Sequence, residues 1–368
     1  MTAEEFDIRH RYYIETTGQI KIFRPPPETV KECGKSLAEA YADNDTFLHT
    51  FQHHKPLKPI SGSFICAHWP DSPGIPATEY TVTDWQKVFN DFSSLGLDTA
   101  ILQASAWKEL EEVYYPSTLF STYKKWNLLE PLTQAATNAG ITLYIGGLGT
   151  VSGWKKALSK NYIEKEIIAQ LSCFEEILKL YSGIAGLYIT PETAFTGSRN
   201  KEKEKIQNHV LKKLLKEIHG WKMRGMISPA TKYFPGKEME MQDAWNTILC
   251  DSGLDILAPQ DSIGTGGNRL SNQKNTFKTW KNVADSNGST LWSNVEIFSR
   301  NNLDDWRTDF RAAEPLRVHA QIAAASPWVD KLVCWEAPFC LAPEAGPDGD
   351  RLRKKIFNAD FAARCISR

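Results

Sequence analysis

From residue 61 onward the chain alternates between two hydrophobic rhythms. Short runs rich in β-branched, aromatic and other apolar residues cover 63–69, 97–103, 141–147, 186–190, 222–228, 255–261, 290–295 and 331–336. After each comes a segment with apolar residues three and four apart: 84–95, 128–138, 162–181, 201–219, 238–250, 272–284, 305–325 and 351–366. The first pattern suits strands buried on both faces, the second helices with one apolar stripe. In 162–181 the expected stripe is Ile163, Ile167, Ile168, Leu171, Phe174, Ile177, Leu178 and Tyr181. In 201–219 it is Ile206, Val210, Leu214 and Ile218, with charge on the opposite face. Gly96 and Gly140 stand where two helices should stop, and Asp84 is an early-turn acid. Pro315 should break or kink 305–325.

Strand–helix alternation predicts a parallel sheet. Eight such units over roughly 300 residues predict a closed (β/α)8 TIM barrel. The structural alternative is an open doubly wound sheet. That fold usually carries a glycine-rich phosphate turn after its first strand, and His68-Trp-Pro-Asp-Ser-Pro-Gly74 is not one. Residues 1–60 read as a partly helical N-terminal extension. Pro25-Pro-Pro27 interrupts it, and 28–42 then carries Val30, Cys33, Leu37 and Ala40 on one helical face. The barrel domain is expected to occupy 61–368.

Composition narrows the function classes. A net charge of −1 on 368 residues gives no basic excess for nucleic acid. No apolar run is long enough to span a bilayer, and Met1-Thr-Ala-Glu-Glu-Phe-Asp7 has neither the basic nor the apolar part of a signal peptide. The seven cysteines are scattered, with no C-x-x-C pair. A cytoplasmic setting is therefore expected, with no metal and no cofactor. His49, His53 and His54 cluster, but no further ligand pattern surrounds them, so a solvated or capping role is expected. Twelve tryptophans are many, and flat aromatic faces suit sugar rings as well as cores.

In a barrel of this kind the site lies at the C-terminal strand ends. Those ends carry His68, Trp69 and Asp71; Gln103 and then Trp107; Gly146, Gly147 and farther on Trp154; Glu192; Ser228; Gln260 and Asp261; Asn294 and Glu296; and Trp335 and Glu336. The set is acidic, amide-rich and aromatic, without the lysines or arginines a phosphate would call for. Strand alternation puts Trp292, Asn294 and Glu296 on one side of the seventh strand, and Tyr188, Thr190 and Glu192 on one side of the fourth. These two strands face each other across a ring of eight. Two opposed carboxylates suit glycosidic bond cleavage, one donating a proton to the leaving oxygen and the other attacking the anomeric carbon or activating a water.

A glutamate on strand four with another on strand seven resembles the large barrel clan of retaining glycoside hydrolases. More closely, 97–103, Tyr115-Pro-Ser117, 140–148, Tyr188-Ile-Thr-Pro-Glu192, 256–261 and 291–298 resemble a poorly characterised family of bacterial-type barrels assigned as glycosidases. The resemblance spans roughly residues 60–340. It implies Glu192 as acid/base and Glu296 as nucleophile, with a carbohydrate or other small molecule as substrate. The clan usually has Asn immediately before the strand-four glutamate, where it binds the 2-hydroxyl. Here Pro191 stands in that place, so another amide (Gln103, Gln260 or Asn294) takes that role or the chemistry differs.

Plainer roles compete. Glu192, Glu296 and Glu336 could each cap a helix or pair with an arginine, Asp261 could be a helix N-cap, a residue that orients a catalytic group from behind, or a third catalytic carboxylate, and His68 a satisfied core residue. A divalent cation gathered by His68, Asp71, Glu192, Asp261, Glu296 and Glu336 would have few nitrogen ligands. Two other functions fit the same acidic, Trp-lined mouth. One is a cyclase or isomerase working by acid/base catalysis on a small metabolite. The other is a carbohydrate-binding barrel without catalysis.

Overall fold

The computed structural model describes residues 13–17, 20–24, 27–51, 53–67, 77–108, 110–150, 160–232, 234–300, 310–342 and 345–366. Eight parallel strands close into a barrel: β1 (Ile60–Ile65), β2 (Thr99–Leu102), β3 (Thr142–Gly146), β4 (Ile184–Tyr188), β5 (Arg224–Ile227), β6 (Ile256–Leu257), β7 (Thr290–Glu296) and β8 (Lys331–Trp335). Each strand pairs with its neighbours in sequence, and β8 closes the ring onto β1. The fold is a (β/α)8 TIM barrel, as the alternation predicts.

The helices follow in order. A long helix α1 (Pro27–Phe51) precedes the barrel; α2 (Val82–Ser94), α3 (Leu129–Ala139), α4 (Lys160–Leu180), α5 (Lys201–Gly220), α6 (Glu238–Leu249), α7 (Leu270–Asn287) and α8 (Pro315–Ala325) alternate with its strands. A short α9 (Ala337–Cys340), then α10 (Gly346–Ile356) and α11 (Ala359–Ile366), complete the chain. Local chemistry explains several ends. Thr81 caps α2, with Asp84 closing a reciprocal capping box. Gly140 ends α3 at φ 68, a left-handed conformation that costs glycine little.

Several boundaries differ from the expectation for physical reasons. Pro315 is the first residue of α8 and so starts the helix that 305–325 was expected to form; residues 301–309 lie outside the described residues. The expected helix over 351–366 is two helices, α10 and α11. Helix α1 runs well beyond 42, because Phe47, Leu48 and Phe51 continue its apolar face against Ile263, Leu270 and Ala320. Ile168 is 63% exposed and leaves the buried stripe of α4. A hairpin, Tyr13–Thr17 with Ile20–Arg24, occupies part of the segment that shows no period in sequence.

Packing sorts the apolar residues into two layers. Phe64, Ile101, Tyr144, Tyr188, Met226, Ile256, Ala258, Trp292 and Val333 fill the barrel interior. The opposite strand faces pack on the helices, in a core that includes Trp85, Phe89, Phe174, Trp245 and Trp280. Each large side chain removed from water in this way contributes about 1.5–3 kcal/mol, which makes the barrel a stiff frame for its strand ends.

Candidate active site

The mouth of the barrel is assembled above that interior layer. Bridges Ala194–Ala230, Ala230–Gln260 and Gln260–Asn294 continue the parallel pairing past the regular strands. Asn294 donates through Nδ2 to the Ser228 hydroxyl at 3.2 Å, and Gln260 donates through Nε2 to the Ser228 carbonyl at 3.1 Å. Trp335 donates its indole N–H to Gln103 Oε1 at 3.0 Å. Asn294 and Gln260 are thus both tied to Ser228, and Gln103 fixes the Trp335 ring. The Asn294 Oδ1 acceptor is buried and makes no hydrogen bond.

Glu296, the last residue of β7, is 3% exposed. Its Oε2 accepts the Thr265 backbone N–H at 2.6 Å, and its Oε1 accepts the Thr265 hydroxyl at 3.2 Å. Its own backbone N–H donates to Asp261 Oδ1 at 3.1 Å. Asp261 is fully buried, and its Oδ2 accepts from Gln321 Nε2 at 2.6 Å. Gln321 Nε2 also donates to the Glu296 carbonyl at 3.1 Å, beside Arg317 Nη2 at 3.3 Å. Arg317 Nη2 reaches the Phe298 carbonyl too. Gln321 and Arg317 lie four apart on α8, so one helix face holds both the backbone of Glu296 and the carboxylate behind it.

The electrostatics follow from this burial. Loss of water pushes both carboxyls upward, and Asp261 pushes Glu296 further. The Thr265 donors and the Arg300 guanidinium oppose this at Glu296. Gln321, two backbone N–H groups and Arg317 oppose it at Asp261. Two adjacent buried carboxyls accordingly carry less than two full charges near neutral pH.

Glu192 sits in a different setting. Tyr188 pairs with Met226 and Ala194 bridges Ala230. Six residues on the β4 side thus cover a height that four cover on the β5 side, a local bulge of two residues. Ile189, Pro191 and Thr193 line a mostly apolar cavity of about 80 Å³ against α4, α5 and α6. Glu192 is not among the lining residues of that cavity and is partly exposed. Its charge is felt by the buried Tyr188 hydroxyl in the barrel interior, which burial first and Glu192 second push well above the usual tyrosine range. The cavity lining also explains the departure at Pro191: this position faces the helices, so an asparagine side chain there would not enter the mouth.

The other predicted residues divide clearly. Tyr188 floors the site, edge-on to Phe64 at 5.3 Å. Trp292 lies deep in the interior, against Tyr144 and at the level where Lys331 begins β8, so it is remote from the mouth. Trp107 is buried in a small accessory sheet, packed on Gly149. Thr190 turns its hydroxyl to the Leu148 carbonyl at 2.6 Å. Glu336 is fully buried after β8; Oε2 accepts the Cys66 backbone N–H and Oε1 makes no hydrogen bond. Burial pushes its carboxyl up to about 8. His68, Trp69, Asp71 and Trp154 lie outside the described residues.

Thr265, Arg317 and Gln321 were not anticipated. The signal for the last two is a pair of polar residues four apart in α8, a helix whose other residues are apolar except His319. Thr265 carries no such mark; a glycine-rich loop brings it to Glu296.

Residues 60–345 match the domain of unknown function DUF4434. The chain belongs to the DUF4434 family. No curated protein matches it. Among solved structures it is similar to a Bacteroides thetaiotaomicron VPI-5482 protein proposed to be an alpha-L-fucosidase, with a TM-score of 0.65 and 20% identity over 82% of this chain and 96% of that one. It is also similar to the endo-1,4-beta-mannanase of Rhizomucor miehei, with a TM-score of 0.52 and 11% identity over 84% and 96%. A GH113 beta-1,4-mannanase aligns with a TM-score of 0.52 and 10% identity over 85% and 100%. At these identities the likeness is one of fold. Among the described residues no helix is long and apolar enough to cross a membrane.

Proposed function

We propose that this DUF4434 protein cleaves a glycosidic bond, with Glu192 as acid/base and Glu296 as nucleophile. The observation that carries the reading is the carboxylate of Glu296, held by two donors of Thr265 at the end of β7, in a barrel whose β4 extension carries Glu192. Glu192 is partly exposed, so it can exchange protons with solvent between steps. In the first step it gives its proton to the leaving oxygen as Glu296 attacks the anomeric carbon. In the second, Glu192 takes a proton from water, and that water breaks the glycosyl–Glu296 ester. Thr265 and Arg300 favour the ionised Glu296 that attack requires. Trp335, fixed by Gln103, would offer an aromatic face to the sugar, and Gln260 and Asn294 would meet its hydroxyls.

A second reading has one specific support. Burial and Asp261 push Glu296 upward, and a protonated Glu296 would be a general acid for a cyclase or isomerase. Hydrolysis of aryl glycosides separates the two readings. A panel beginning with α-L-fucosides and β-mannosides should contain a substrate. Glu296→Gln and Glu192→Gln should each lose about a thousandfold or more in kcat/KM on it, with melting temperatures within a few degrees of wild type. Full turnover by Glu296→Gln would overturn the assignment.

A further inference from the structure

The N-terminal helix reaches the site through one loop. Leu37, Ala40, Tyr41 and Asn44 recur at three- and four-residue spacing, so they share a face of α1. Leu37, Ala40 and Asn44 are buried. That face lies on residues 264–271, the loop and first turn of α7 that follow Asp261. Tyr41 donates its hydroxyl to the Gly264 carbonyl at 3.0 Å and accepts the Arg300 backbone N–H at 3.1 Å. Asn44 Oδ1 accepts the Leu270 backbone N–H at 2.8 Å, one of the donors left over at the start of α7. Asp43 Oδ2 accepts the Ser271 hydroxyl at 3.0 Å. Gly266 adopts φ +71 directly beneath the helix. A Cβ there would meet Leu37 Cδ1 at 2.8 Å, so only glycine permits this approach.

Thr265 sits between the two residues gripped most closely, Gly264 and Gly266; its backbone N–H donates to the Glu296 carboxylate at 2.6 Å, and its hydroxyl lies 3.2 Å from both Glu296 Oε1 and the Ser262 carbonyl. We propose that α1 is a positioning element of the site: Tyr41 and Asn44 fix the 264–271 loop, and through Thr265 they fix the carboxylate of Glu296. Tyr41 clamps both sides of Glu296, since Gly264 precedes Thr265 and Arg300 follows the end of β7. The charged groups that act on Glu296 are Asp261 on the β6 side and Arg300 beyond β7, and Arg317 on α8 acts on Asp261. All three remain when Tyr41 or Asn44 is replaced. This hold on the Glu296 carboxylate serves any chemistry in which Glu296 takes part.

The test uses the full chain carrying carboxyl-13C glutamate, with the Glu296 resonance assigned from Glu296→Gln. Tyr41→Phe removes both hydroxyl bonds, and Asn44→Ala removes the α7 contact. Each should raise the Glu296 titration midpoint by about half a unit or more, because the Thr265 donors that favour the anion are released. On any aryl glycoside that the wild type hydrolyses, Tyr41→Phe should lower kcat roughly ten- to hundredfold while KM changes little. Midpoints that stay within about a tenth of a unit in both variants, with Glu296 titrating normally, would overturn the proposal even if the variants melt earlier. Absence of any glycoside turnover in the wild type would instead overturn the glycosidase reading, and the titration would still decide this one.

Discussion

Glu192 and Glu296 follow barrel strands three places apart in the ring, β4 and β7, and they sit in different surroundings. Glu296 is buried, with its carboxylate on Thr265, its N–H on Asp261 and its carbonyl on Arg317 and Gln321. Glu192 is partly exposed on a bulged strand extension, backed by a mostly apolar cavity of about 80 Å³. The contrast fits a division of labour. A group that attacks carbon gains from being fixed within a fraction of an ångström. A group that shuttles protons gains from access to water. The stiffness on the β7 side comes from three separate parts of the chain, α1, the loop after β6, and α8, all converging on one strand end.

The sharpest way to break this contrast is to unlock the β7 side. Arg317→Ala removes the donor shared by the Glu296 and Phe298 carbonyls and the cation beside Asp261. It should cost about 3–5 kcal/mol, the usual effect of removing one member of a buried charged network. Urea unfolding reads this directly. Glu192→Gln, an isosteric change at a partly exposed position, should cost at least about 1 kcal/mol less than Arg317→Ala in the same assay. Equal costs on both sides would remove the mechanical distinction.

A second, smaller effect lies between β8 and β1. The Glu336 carboxyl is held up to about 8 by burial, against an ordinary value of 4.5. The folded chain therefore binds a proton at pH values where the unfolded chain has released it. The stability associated with that proton is complete below about 4.5 and is lost as pH rises through about 8. Glu336→Gln keeps the shape without the titration. The variant should lose less stability than wild type between pH 5 and 8, by an amount on the order of 1–3 kcal/mol. Parallel curves of melting temperature against pH would contradict the assignment.

The smallest effect is expected at Pro191. Since this position faces the cavity behind β4, Pro191→Asn should not supply a 2-hydroxyl contact. Its kcat/KM should stay within about twofold of wild type, because uniform binding and transition-state binding are both untouched. A tenfold gain would mean that residue 191 reaches the mouth.

Much of this architecture is legible in the residues. The eight strand–helix units come from periodicity alone, and parity along β7 puts Asn294 and Glu296 on one side. Parity does not give depth, which is why Trp292, on the same side, turns out to lie at the level of Lys331 and not at the mouth. It also fails across a bulge: Thr190 shares parity with Glu192 but bonds the Leu148 carbonyl. The least legible part is the support of Glu296. Tyr41, Thr265 and Gln321 are far apart in sequence and carry no shared motif; only the closed barrel brings them to one strand end.

The central claim is that Glu296 forms a covalent bond to the sugar. The most direct test is to trap that bond. Wild-type protein is incubated with the 2-deoxy-2-fluoro analogue of whichever aryl glycoside it hydrolyses, then digested and sequenced by mass spectrometry. The account predicts one fluoroglycosyl label, on Glu296, and none in Glu296→Gln. A label on another carboxylate, or continued hydrolysis of the parent glycoside with no label anywhere, would contradict it.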